Sequence, residues 1–188
     1  MKIQDGAGKG YEVQVNSENQ LKTSTVSESR QHHVSKEHQK AFQVSTNLSV
    51  TISKQNLLLI TNDSSESLVV TYIRLMTVSA DATNENAYFT LEGGGDYVSG
   101  GNSITPINMN IGQSREAVAI AYDGDTAIVV DSNFVEFDRN YTANSMQSYN
   151  KDGSLILPRG ASLLITHTGS STDGTVYARA SFYFANGE

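Results

Sequence analysis

Thr175-Val176-Tyr177-Ala178-Arg179-Ala180-Ser181-Phe182-Tyr183-Phe184-Ala185 carries the reading of the fold, because its apolar residues recur at every second position. Successive side chains of a strand point to opposite faces. Val176, Ala178, Ala180, Phe182 and Phe184 therefore share one face, and Tyr177 and Tyr183 stand on the other. Phe residues at alternating positions belong in a core, whereas Tyr on the opposite face is common at protein interfaces. Tyr177 and Tyr183 are accordingly the candidate oligomer-interface residues, unless both faces of the strand are buried.

The same alternation stands at the other end of the domain, where Val44, Thr46, Leu48, Val50 and Ile52 line one face of Phe42–Ile52. Between these two segments the spacing predicts strands over Asn56–Thr61, Leu68–Ser79, Ala87–Glu92, Ser103–Ile111, Ala127–Phe137, Ser154–Leu157 and Ser162–Thr166. Turn residues punctuate them: Asp63-Ser64-Ser65, Gly93-Gly94-Gly95-Asp96, Gly100-Gly101-Asn102, Asp123-Gly124, Asp152-Gly153 and Asp173-Gly174. No long apolar helix pattern and no internal repeat interrupts the series. The expected class is all-β, a jelly-roll-like β-sandwich rather than an immunoglobulin-like one, occupying residues 41–188.

Residues 1–40 read differently. They hold six Lys/Arg against five acids and three of the four histidines, so the remainder of a chain of net charge −7 carries −8. No aromatic residue occurs between Glu12 and Ala41, and such a segment buries too little to offset its ordering entropy. Tyr11 to Val15 and Gln20 to Val26 alternate around a turn at Asn16 to Asn19, which predicts a small hairpin. Ser27 to Lys40 has Val34 as its one apolar residue and reads as a linker or a partner-ordered turn of helix. The arm is thus expected to need the main domain or a partner.

The 188 residues are 38% hydrophobic and 18% charged, with no Cys and no Trp. No disulfide framework, zinc finger or iron–sulfur cluster can be built, and the negative charge disfavours a general nucleic-acid binder. The first residues have no apolar core of a secretory signal. The longest aliphatic run, Leu57-Leu58-Leu59-Ile60, is far short of the roughly 20 residues that cross a bilayer. Asn47, Asn62 and Asn140 head glycosylation sequons, which matter only in a secreted chain.

Each chemical motif has a plainer explanation. Gly6-Ala7-Gly8-Lys9-Gly10 lacks the Ser or Thr and the helix that a phosphate loop requires. His32, His33 and His38 are not spaced as a helical ligand pair, and His167 is alone in the β region, too few for a cupin-type metal site. Asp123, Asp125, Asp131, Glu136 and Asp138 could supply oxygens to calcium, but no EF-hand pattern is present. Without Trp to stack a sugar, Cys, or a Gly-x-Ser-x-Gly elbow, neither glycoside hydrolysis nor nucleophilic catalysis has a signature. The expectation is a protein that is not an enzyme and has no metal or cofactor.

Asp5-Gly6-Ala7-Gly8-Lys9-Gly10-Tyr11, then Val13-x-Val15, Asn19-x-Leu21, Val26 and Ala41-Phe42, resemble an N-terminal segment of tailed-bacteriophage structural proteins. Pro106-Ile107-Asn108-Met109-Asn110 and Leu155-Ile156-Leu157-Pro158-Arg159-Gly160 look like the same group. The resemblance implies a capsid decoration or cement protein on the virion exterior, assembled in the host cytoplasm, often a homotrimer, whose partner is the major capsid protein. A neck, tail or receptor- and carbohydrate-binding module of the virion is the alternative. Neither nucleic acid nor membrane is an expected partner. Tyr11, Val13, Val15, Leu21 and Val26 are the candidate capsid-binding residues of the arm, which if extended spans about 130 Å at roughly 3.3 Å per residue.

Overall fold

The computed structural model describes residues 30–78, 87–124, 127–141, 146–169 and 172–185. Among these, the strands are β1 (Ala41–Ser49), β2 (Lys54–Asn62), β3 (Ser67–Val78), β4 (Tyr88–Gly93), β5 (Tyr97–Ser99), β6 (Asn102–Ser103) and β7 (Ile107–Asn108). They continue with β8 (Ala119–Asp123), β9 (Val129–Val130), β10 (Val135–Tyr141), β11 (Met146–Leu157), β12 (Ser162–Thr168) and β13 (Thr175–Ala185). One sheet has the order β11-β3-β13-β1-β7, the other β10-β4-β12-β2-β8-β6, and β5 and β9 pair separately. The long strands pair antiparallel in a nest: β1 with β13, β2 with β12, β3 with β11 and β4 with β10. The chain is an all-β sandwich.

Alternation places the core between the sheets. Phe42, Val44, Leu48 and Val50 from one end of the chain meet Val176, Ala178, Ala180, Phe182 and Phe184 from the other. Phe42, Phe182 and Phe184 form an aromatic trio with centroids 5.8 to 6.0 Å apart. Truncating any of them to Ala removes roughly 3–5 kcal/mol of packing. Leu58, Ile60, Phe89, Leu91, Leu163 and Ile165 answer from the second sheet. Leu57-Leu58-Leu59-Ile60 is buried throughout, the pattern of a strand covered on both faces.

Several predicted boundaries shift. The first strand stops at Ser49, and Ile52, expected on its inner face, is exposed. Ser103–Ile111 resolves into the two short strands β6 and β7. Ala127–Phe137 is broken at Asp131, whose carboxylate accepts the Asn133 N–H at 3.2 Å and folds the chain back between β9 and β10. Strand β8 and the first half of β11 are additional. The Ala residues of β8 weaken its propensity signal, and Met146 to Asn150 form a mostly polar stretch at a sheet edge.

The hairpin residues Tyr11, Val13, Val15, Leu21 and Val26 and the Gly6–Gly10 turn lie outside the described residues. The following segment is helical, α1 (Arg30–His33) running into a π-type turn at Val34–His38. Gln39 closes it in the left-handed conformation (φ 54°), its N–H donating to the Val34 carbonyl. Val34 is 7% exposed and packs on Ala41, Val69 and Tyr183, Lys40 pairs with Glu66, and Asn108 donates to the Gln39 carbonyl. The turn of helix is therefore held by the sandwich itself, on the arm's side of the expected boundary at residue 41.

Candidate functional site

The outer face of the five-stranded sheet is divided in two. At one end the helical turn covers it, and Tyr183, one of the two interface candidates, is 6% exposed beneath Val34. The surface expected to be available at Tyr183 is thus occupied by the chain's own residues. At the other end nothing among the described residues covers the sheet, and Tyr177 is exposed. A groove of about 330 Å³ opens there, bounded by Ser45, Asn47, Arg74, Met76, Met146, Tyr177 and Arg179.

Register explains the lining. Across β1, β13, β3 and β11 one outward row reads Asn47, Tyr177, Met76, Met146, and the next reads Ser45, Arg179, Arg74, Ser148. Arg179 and Arg74 are direct cross-strand partners, a position where Cβ atoms stand about 5 Å apart and like charges repel. Among the described residues, neither guanidinium has a carboxylate partner; the ion pairs involve Lys40, Lys54, Arg139 and Lys151. Tyr72 borders the arginines in the following row. A hydrogen bond with Ser148 holds its phenol below the ordinary range, and Arg74 and then Arg179 add to the effect against partial desolvation.

The outer face of the six-stranded sheet is built the opposite way. Leu59, Ile128 and Leu164 form a small second core under Tyr97, Tyr122, Val130 and Phe134. The flap carrying β5 and β9 is fastened by the Asn56 amide, which donates to the Ile128 carbonyl at 2.9 Å. It needs glycine where the chain passes close: Gly100 and Gly101 have φ of 75° and 74°, and a Cβ on Gly100 would stand 2.0 Å from the Ala127 oxygen. Tyr97 stacks on Tyr122 at 4.3 Å. A cleft of about 400 Å³ beside them is bounded by Thr61, Asp96, Tyr97, Ile120, Tyr122, Gly160 and Ser162.

On this face the charges are matched. Glu92 is 5% exposed, bonded to the Lys54 ammonium at 2.6 Å and to the Thr90 hydroxyl at 2.8 Å. Its cross-strand neighbour Glu136 receives two bonds of 2.7 Å from Arg139. These bonds keep the Glu136 carboxyl below its ordinary range and the Arg139 guanidinium protonated. Arg139 also lies over the Tyr88 ring, 4.7 Å from its centroid. Between the two sheets, His167 is fully buried against Phe89, with Nε2 3.3 Å from the Thr77 hydroxyl. Burial lowers its pKa to about 4, so the ring is neutral at pH 7.

The remaining sequence candidates do not converge. Among the described residues no three His, Asp or Glu side chains gather around a common point. Asp131 serves its turn, Glu136 pairs with Arg139, and Asp138 with Lys151 at 3.1 Å; Asp125 lies outside the described residues. His33 and His38 meet ring to ring at 5.6 Å. Asn62 is buried with its amide donating to the Glu66 and Leu157 carbonyls, which removes it as a glycan acceptor. No helix among the described residues is long and apolar enough to cross a membrane. The sequence matches no known protein family and no curated protein.

Proposed function

We propose that this chain is a structural protein of a phage virion, of the capsid decoration type, which fastens to the major capsid protein through strand edges and apolar contacts. In this reading the nested eight strands are a jelly roll, an architecture used in viral capsids and lectins. The observation that carries the proposal is the open edge of β1. β7 pairs only with Phe42 and Gln43, so from Val44 to Ser49 no described strand adjoins β1 on that side. Such an edge accepts a strand from a neighbour. Beside it Ile107, Met109 and Ile111 project outward, with Ile111 91% exposed, supplying apolar contact next to the backbone bonds. Several copies acting together would raise avidity without strong single contacts.

Particles of the encoding virus prepared with and without this chain provide the test. The decorated particles are expected to survive heating that opens the bare ones, and equal survival would remove the cement role. A second reading, a receptor-binding module at the tail, is favoured by the cleft at Tyr97 and Tyr122. Adsorption of the purified protein to host cells, lost in Tyr97→Ala, would support it over decoration.

A further inference from the structure

The uncovered groove on the five-stranded sheet fits neither of these contacts. It adjoins the β1 edge through Ser45 and Asn47 but opens on the face of the sheet, and it lies on the opposite sheet from the Tyr97 cleft. We propose that it binds an anionic saccharide, with Arg74 and Arg179 holding the carboxylate or sulfate and Tyr177 receiving the sugar ring.

Three observations lead to this ligand class. Two unmatched arginines lie opposite each other in a protein of net charge −7 whose other described charges on the six-stranded sheet are paired. Guanidinium groups bind oxyanions by parallel N–H bonds, and a bound anion relieves the repulsion between them. The groove has the volume of a small-ligand site, and its other walls are of two kinds. Ser45 and Asn47 offer hydroxyl and amide partners, while Tyr177, Met76 and Met146 offer an apolar ledge. A bare phosphate would make no use of that ledge, and a neutral sugar would leave both arginines unmatched. After the Ser148 hydrogen bond, the charges of Arg74 and Arg179 also help to lower the neighbouring Tyr72 phenol. The proposal holds whether the protein decorates a head or sits at a tail.

The test is calorimetric titration of the full chain with a glucuronic acid oligosaccharide, a sulfated disaccharide, the neutral glucose oligosaccharide, inorganic phosphate and a short glutamate peptide. One or both anionic saccharides should bind and the neutral one should not, with affinity weakening as salt rises from about 0.05 to about 0.5 M. Arg74→Gln with Arg179→Gln should weaken binding at least about tenfold, the scale of one charge-assisted bond lost. Arg74→Lys with Arg179→Lys keeps the charge but not the fork geometry and should fall between. Tyr177→Ala should weaken the saccharide alone, and Tyr97→Ala should have no effect. The proposal is overturned if no saccharide binds, if phosphate binds as tightly as the best saccharide, or if the glutamate peptide binds while the saccharides do not. Unchanged binding in folded arginine variants would also overturn it.

Discussion

The two outer faces of the sandwich treat charge in opposite ways. On the six-stranded sheet Lys54 neutralises Glu92, Arg139 neutralises Glu136, and a flap with its own small core covers the neighbouring strands. On the five-stranded sheet Arg74 and Arg179 face each other unmatched in an open groove. The first arrangement serves stability: a charge near the surface is tolerated when it is bonded, and apolar residues gain from cover. The second works against stability, because like charges directly across a sheet destabilise it. Charges left without a counter-charge among the described residues of their own chain are candidates for contact with something else.

The largest effect is expected under the flap. Leu164→Ala should cost about 2–5 kcal/mol, the usual range for a buried leucine, while Tyr177→Ala on the open face should stay within about 0.5 kcal/mol. Denaturant midpoints measure both; equal losses would mean that the open face is also a structural layer.

His167 provides a control from the interior that both faces share. Its ordinary pKa of about 6.5 in the unfolded chain falls to about 4 in the folded protein. The unfolded chain therefore binds more protons between these values, so stability is complete above pH 6.5 and is lost as pH falls toward 4. The loss from this group is on the order of 3 kcal/mol. Urea titrations at stepped pH should show that acid limb, and His167→Gln should flatten it. A limb that survives in the variant would assign it to the carboxylates instead.

Two smaller effects sharpen the contrast in charge. Glu92→Ala should destabilise by roughly 2 kcal/mol, since it strips buried bonds from Thr90 and Lys54, whereas Glu136→Ala, in a half-exposed pair, should cost under about 1 kcal/mol. Arg74→Gln with Arg179→Gln should leave the unfolding free energy unchanged or higher by about a few tenths of a kcal/mol at most, with a thermal midpoint that does not fall. A clear drop would show that the arginines hold the sheet together.

What could be read in the sequence follows from how local each signal is. The alternations of Val44 to Val50 and Val176 to Phe184 mark inner faces without reference to any partner, and their apolar residues are in the core, although Ile52, which continues the first alternation, is exposed. Asp131-Ser132-Asn133 also carried a local signal, turn chemistry, inside a stretch that reads as strand on hydrophobicity alone. The run Leu57 to Ile60, read in the sequence as part of a strand and as too short for a membrane span, is covered on both faces of β2, and nothing local announced the flap that covers it. Arg74 and Arg179 carried no such signal. Each sits at an ordinary outward polar position, and only the pairing of β3 with β13 brings them together. Tyr183 and Tyr177 look alike in sequence, yet one lies under Val34 and the other is open, because the cover comes from a segment far away in the chain.

The nested pairing has a consequence for how the molecule comes into being. β13 lies between β3 and β1, in the middle of its sheet, and β12 sits between β4 and β2. A ribosome must therefore deliver Thr168 before the six-stranded sheet can close and Ala185 before the five-stranded one can, and the earlier strands wait with their apolar faces uncovered. Topologies dominated by such distant pairings fold in roughly milliseconds to seconds. During that interval the Leu57 to Ile60 run, buried in the finished sandwich, is open to wrong partners. Synthesis of this protein is thus expected to be more sensitive to temperature and to chaperone supply than the finished sandwich is.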